Sequence, residues 1–329
     1  MAKIVFHIGT HKTGTTALQN QLFRNRKLLE RQGVIYPEVG IGPSHSGHHE
    51  LAWAAAGQSH RLKKSNASAI FEKARFAIET AGDQTVVFSS EEFGNLSPKL
   101  IEKMGAELGI ESANIVVYFR NQIDYLIAQY KQHIKQFETR YTGTLLDYIV
   151  EFNILNRMSY AALVSGWANI FGKESINIRV YDRADLVKGD IVEDFCQVIE
   201  LDSGVLKNDT KDNSSDNKSI SDFAAEVLRY ANRLDMSAVS HQNLIEDISS
   251  ASREYQNYTF LDPASSLRIW RKFNEVNLRL KEHFDVNIDS LNKSPNLDGK
   301  VTIAQCDDPV IKVFSSIFSE KIGAAPGIL

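Results

Sequence analysis

The sequence predicts a layered α/β fold, with a parallel sheet of about five strands followed by a helical C-terminal region. Three observations predict it. Short apolar runs, residues 3–8 above all, lack the alternation of a half-exposed strand and read as strands buried on both faces. Stretches with apolar residues at helical spacing separate these runs. The first run also ends in a loop of small and polar residues, 9–16, that opens directly into a helix marked by Leu18 and Leu22.

The elements follow in order. After the strand at 3–8, GVIYPE at 33–38 reads as a second strand and TVVFSS at 85–90 as a third. NIVVYF at 114–119 is the fourth and INIRVY at 176–181 the fifth. Helices are expected at 67–80 and 124–137, where Ile123, Leu126, Ile127, Tyr130, Ile134 and Phe137 share one face. HHELAWAAAG, from His48, reads as the start of another. Residues 202–219 turn polar, as a surface loop does. Phe223, Val227, Tyr230 and Leu234 stripe a later helix, and Ile269, Phe273, Val276 and Leu280 stripe the next. Beyond Val286 the chain reads as loop. One domain is expected, with its core in residues 1–200 and a polar loop and helical extension in 201–329.

Composition excludes several classes. A chain of 329 residues with 43% hydrophobic and 24% charged residues is neither globally disordered nor a membrane protein. A net charge of −4 argues against a general nucleic-acid binder, while leaving room for a local basic pocket. Cys196 and Cys306 are too few for a disulfide framework or a cysteine-based zinc site. No apolar run reaches spanning length and no signal-like segment precedes the first strand, so a cytoplasmic protein is expected.

The loop at 9–16 has the makings of a phosphate cradle. Small residues let backbone N–H groups approach an anion, the following helix adds its positive end, and Lys12 supplies a mobile charge. The spacing of Gly9 and Gly14 matches a Walker A loop, but Thr15 stands where that loop has its lysine and Lys12 comes earlier. A nucleoside triphosphate geometry is therefore lost. In a parallel sheet, ligands lie beyond the carboxyl ends of the strands, which also brings forward Arg120 at the end of the fourth. A guanidinium there suits bidentate phosphate contact.

On these residues the chain resembles the sulfotransferase superfamily, whose 5′-phosphosulfate loop reads K-T-G-T-T or K-x-G-T-T. The resemblance covers residues 1–200 and implies a three-layer P-loop-NTPase-like fold. It also implies transfer of a sulfuryl group from 3′-phosphoadenosine 5′-phosphosulfate (PAPS) to a hydroxyl or amine of a carbohydrate or other small acceptor. No metal is required. It assigns Gly9, His11, Lys12, Thr13, Gly14, Thr15 and Thr16 to the 5′-phosphosulfate, and Arg120 to the 3′-phosphate. The superfamily's serine after that arginine is Ala128 here, which removes one hydroxyl and leaves Gln129, Lys131 or the late polar loop to compensate. N-K-S-I-S, with Asn217 and Ser219, resembles a polar segment before a helix in bacterial members. A bacterial carbohydrate-type enzyme is the expectation.

Sulfuryl transfer needs a base for the acceptor and positive charge for the leaving phosphate. Lys12 fits the second task. For the base, Glu91 in SSEEF leaves the third strand, Glu38 leaves the second, and His48 belongs to a loop with His45 and His49. The order of preference is Glu91, His48, Glu38. That histidine cluster lacks partners at a recognised metal spacing. Trp53, Tyr141, Tyr160 and Trp167 are candidates for stacking on sugar faces, and Lys63 and Lys64 for attracting an anionic glycan. A P-loop kinase or NTPase and a nucleotide-binding protein that has lost catalysis are the alternatives. The acceptor and the oligomeric state are not legible.

Overall fold

The computed structural model describes residues 1–42, 45–62, 66–206, 219–303, 309–313, 315 and 317. Its central sheet has five strands, β1 (Lys3–His7), β2 (Val34–Ile35), β3 (Thr85–Ser89), β4 (Asn114–Phe119) and β5 (Ile176–Val180). All pair in parallel, in the order β2-β3-β1-β4-β5. The register sets His7 opposite Ser89, and Phe119 opposite Val180. The α/β class and the parallel sheet expected from the sequence are therefore present.

Between β1 and β2 lie α1 (Thr15–Arg24) and α2 (Arg26–Arg31). Between β2 and β3 lie α3 (His49–Ala55) and α4 (Ala67–Glu79), and between β3 and β4 lies α5 (Pro98–Leu108). Then α6 (Gln122–Lys135), α7 (Leu145–Glu151), α8 (Ile154–Arg157) and α9 (Tyr160–Phe171) precede β5. After it come α10 (Ile191–Val198), α11 (Asp222–Ala231), α12 (Ala238–Ala251) and α13 (Pro263–Phe284).

The chain forms two compact units. The first, residues 1–121, 159–212 and 275–292, holds the sheet. Strand residues alternate between its two faces, as pleating requires. Ile4, Phe6, Phe88, Val117 and Phe119 join one core with Leu51, Phe71, Met104 and Trp167 from α3, α4, α5 and α9. Val5, Val87, Val116 and Tyr118 join the other with Leu18, Leu22, Ile191 and Phe195 from α1 and α10. This is a three-layer arrangement. Burying each such aromatic or branched side chain contributes about 1.5–3 kcal/mol. Phe6 sits at the centre, its ring 5.5 Å from Phe88, 5.4 Å from Phe93 and 5.5 Å from Trp167.

On α10, Asp194 is fully buried and accepts several hydrogen bonds. It accepts from Arg179 Nε (2.9 Å) and Nη2 (2.5 Å), from the Tyr118 hydroxyl (2.9 Å) and from the Val187 amide (3.1 Å). Cys196, buried beside it on the same helix, has its thiol pushed up to about 12, chiefly by burial.

The second unit comprises residues 122–158, 213–274 and 293–329. Leu126, Tyr130, Phe223, Leu228, Ile248 and Phe273 build its core. A buried Glu226–Arg229 pair on α11 is anchored by Arg229 Nη1 donating to the Thr142 carbonyl at 2.7 Å. A capping box of Thr144 and Asp147 opens α7. Two short strands, β6 (Tyr258–Thr259) and β7 (Val301–Thr302), pair in parallel.

Several sequence expectations shift. The second strand shrinks to Val34–Ile35, because Pro37 has no N–H for the ladder. The third and fifth strands end one residue early, and Ser90 caps the turn that follows by accepting from the Glu92 amide at 3.2 Å. The helix expected at 124–137 runs Gln122–Lys135, and α12 had no clear stripe to announce it. The chain after Val286 is not all loose loop, since Ile288 and Leu291 are buried in the first unit's core and Asn121 Nδ2 donates to the Leu291 carbonyl at 2.8 Å.

Candidate functional site

The loop after β1 is shaped by two left-handed residues, Lys12 at φ 66° and Gly14 at φ 74°. Thr10 donates its hydroxyl to the Tyr118 carbonyl at 3.0 Å, and Thr13 donates to the Thr10 carbonyl at 2.6 Å. Both hydroxyls are thus spent on holding the loop, and Thr13 is fully buried. Glycine is required twice. A Cβ on Gly9 would meet Thr15 Cγ2 at 2.7 Å, and one on Gly14 would meet the Tyr181 ring and hydroxyl at 3.0 Å.

Gly14 opens α1 without a side-chain cap, and the first turn of the helix carries no acidic residue. Unopposed first-turn amides and the positive helix end fit an anion. Thr15 is buried at the helix start, while Lys12 and Thr16 are exposed.

Arg120 follows β4 directly, and its Nη1 lies 3.4 Å from the Lys12 carbonyl oxygen. The backbone behind it is held by the Tyr160 hydroxyl, which donates to the Arg120 carbonyl at 2.7 Å. Tyr160 in turn stacks on Phe119 at 4.0 Å and 8°. The loop cation and the arginine thus belong to one edge of the sheet.

The exit of β3 adds a carboxylate. Pairing with β1 continues past the strand, where the Ser90 amide donates to the His7 carbonyl at 3.0 Å. Glu91 follows, its side chain 14% exposed, with Oε1 3.6 Å from His11 Nδ1 and Oε2 4.0 Å from His49 Nδ1. Gln19 Nε2 donates to Oε2 at 3.1 Å. Burial works to raise this carboxyl, but the imidazoles of His11 and His49 outweigh it and hold Glu91 at about 2. His49 shares a 2.7 Å hydrogen bond with the Ser90 hydroxyl, and burial keeps its ring below the usual imidazole range.

Other predicted residues lie elsewhere. His48 is fully buried, with Nε2 2.9 Å from the Pro37 carbonyl and Nδ1 accepting from the Ser89 amide at 3.0 Å. Both nitrogens are engaged and burial lowers the ring to about 4, so it serves the packing of this edge. Glu38 is exposed and pairs with Arg26. Asn217 lies outside the described residues, as do Lys63, Lys64 and Cys306.

Ser219, Gln129 and Lys131 belong to the second unit. There Lys131 Nζ donates to the Ile220 carbonyl and to Asp222, both at 3.0 Å, and Gln129 donates to the Tyr125 hydroxyl at 3.2 Å. Trp167 and Tyr160 are core residues, and the Tyr141 hydroxyl donates to Glu151 at 2.8 Å. Trp53 stays part-exposed between His49, stacked at 5.9 Å, and Arg61, 4.0 Å over its ring.

No family model matches the chain. It is 27% identical over 203 residues to an uncharacterized protein of Archaeoglobus fulgidus, a match that covers 60% of this chain and 54% of that one. The chain thus spans about half the length of the curated relative it matches. Among solved structures it is similar to a sulfotransferase from Alicyclobacillus acidocaldarius, with 14% identity and a TM-score of 0.49, over 89% of this chain and 100% of that one.

Sequence reasoning passed over His7, Gln19 and Tyr181 at this edge. His7 ends β1 inside an apolar run, which hid it. It is fully buried, its Nδ1 is 2.7 Å from the Ser89 hydroxyl, and its Nε2 has no partner among the described residues. Gln19 was legible only as a polar residue one turn after Thr15 on the inner side of α1. Among the described residues no helix is long and apolar enough to cross a membrane, and no group of three acidic, histidine or cysteine side chains could hold a metal ion.

Proposed function

We propose that this protein transfers a sulfuryl group from PAPS to a hydroxyl or amine of a carbohydrate or other small acceptor. The observation that carries the reading is the loop itself. Its lysine stands ahead of the second glycine, in left-handed backbone, and the loop runs into a helix start free of side-chain caps and acidic residues. A 5′-phosphosulfate suits that helix end, with the first-turn amides of α1 and Thr16 as donors. Lys12 supplies charge to the bridging oxygen as negative charge develops there. Arg120 supplies a guanidinium for the 3′-phosphate. Glu91 and the imidazoles around it form the acceptor side, where a proton must be taken.

Titration calorimetry tests this reading. The desulfated product, 3′-phosphoadenosine 5′-phosphate, should bind without magnesium and at least tenfold more tightly than adenosine 5′-phosphate. Magnesium-dependent binding of ATP with no preference for the 3′-phosphate would instead make the protein a P-loop kinase or NTPase. Release of the desulfated nucleotide from PAPS across a panel of glycan and phenolic acceptors then identifies the acceptor class.

A further inference from the structure

We infer that His11 takes the acceptor's proton and that Glu91 is the positioning carboxylate that orients its ring. The inference rests on the sulfuryl-transfer reading and changes who does what within it. By sequence Glu91 is the first candidate base, but its surroundings suit it poorly to accept a proton. Its side chain is 14% exposed, Oε2 receives the Gln19 amide at 3.1 Å, and imidazole nitrogens stand at 3.6 and 4.0 Å. A carboxylate so stabilised stays ionised, and an ionised, fixed carboxylate is what orients an imidazole in an acid–base pair.

His11 has the complementary properties. It directly precedes Lys12, so the ring and the charge meant for the leaving group share one loop. Its side chain is 38% exposed, open enough to meet an acceptor. The ladder between β1 and β3, extended by the Ser90 amide on the His7 carbonyl, fixes the two exits side by side. The 3.6 Å between His11 Nδ1 and Glu91 Oε1 is longer than a hydrogen bond, as catalytic contacts often are before substrate closes them. The other candidates are occupied, since both His48 nitrogens are bonded and Glu38 is paired with Arg26.

With Nδ1–H facing the carboxylate, Nε2 carries the lone pair. The acceptor oxygen then bonds to sulfur as its proton passes to Nε2. The bond from sulfur to the bridging oxygen breaks, and its electron pair stays on the 5′-phosphate, beside Lys12. The products are the sulfate ester, the desulfated nucleotide and an imidazolium that returns its proton to water. His49 on α3, which also borders Glu91, has His45 5.1 Å away and feels the charges of Glu91, His45, Glu92 and His11.

Two measurements test the assignment. Nitrogen NMR of the histidine rings needs no turnover. The unmodified protein should show His11 as the Nδ1–H tautomer, and Glu91→Gln should return it to the ordinary Nε2–H form. An Nε2–H ring in the unmodified protein overturns the pairing. The second is PAPS turnover with water as acceptor. His11→Ala should lose on the order of 10²-fold in rate, recover part of it with added imidazole, and lose the acid limb of the pH profile. Full rate in His11→Ala, or an acid limb that vanishes in His49→Gln instead, overturns the inference while the sulfuryl reading stands. Failure of the unmodified protein to bind the desulfated nucleotide would sink that reading, with the tautomer measurement still deciding whether His11 and Glu91 pair.

Discussion

Gln19 on α1 donates from Nε2 to Oε2 of Glu91 at 3.1 Å, across 72 residues of sequence. The amide is 3% exposed, and a Cβ on Gly47 would strike its Cδ at 2.7 Å, so the side chain has little room to move. One end of α1 therefore presents the loop, while its inner face holds the carboxylate at the exit of β3. A neutral donor does this without placing an acidic residue in the first turn, where it would compete with an anion.

Lys12→Ala should abolish sulfuryl transfer, by on the order of 10²-fold or more, and leave the fold intact, because the exposed side chain adds nothing to the core. Turnover of PAPS at saturating donor, beside an unchanged thermal melt, checks it.

Arg120→Ala should weaken binding of 3′-phosphoadenosine 5′-phosphate far more than that of adenosine 5′-phosphate, because a charged phosphate contact is worth more than a neutral one. Equal losses for both nucleotides in calorimetry would assign Arg120 to holding the Lys12 carbonyl instead.

Gly14→Ala should cost about 1 kcal/mol of stability or slightly more, for the left-handed backbone, and considerably more in nucleotide binding. The added methyl would meet Tyr181 at 3.0 Å, so the loop must shift. Gly33→Ala, also left-handed but with nothing within 4 Å of its Cβ, is the control that should lose stability alone.

Acid should destabilise this protein before its carboxylates titrate. Burial holds both His7 and His48 at about 4, with both side chains fully enclosed. An unfolded histidine titrates near 6.5, so between those values the unfolded chain binds protons that the folded one excludes. Stability present above that upper value should fall as pH drops toward about 4, by up to roughly 3 kcal/mol for each ring. The contribution of Glu91, held at about 2, is lost at lower pH still. Melting temperatures at several pH values should show the earlier fall, and His7→Gln should flatten it; a constant melting temperature across that window would contradict the assignment.

What was legible in the sequence was local. Residues 114–119 form β4 as expected because the apolar run Ile115 to Phe119 can be buried on both faces, whatever its neighbours. The loop was legible because glycine spacing, lysine position and the following helix lie within a few residues of one another. Boundaries were less so: Pro37 cut β2 short, and Ile288 and Leu291 joined a core that no local pattern marked.

The sequence by itself therefore determined the parallel α/β class and the small-residue loop that runs from the first strand into a helix, since both depend on residues adjacent in the chain. It ranked Glu91, His48 and Glu38 as bases only narrowly, each just past a strand or in a nearby loop. The tertiary structure gives them different surroundings. Strand order puts β3 beside β1, which brings Glu91 to His11 and Gln19, while His48 is closed between Pro37 and Ser89 and Glu38 is turned out to Arg26. Proton chemistry depends on what lies within a few ångströms of a group, and those neighbours come from residues up to 80 positions away.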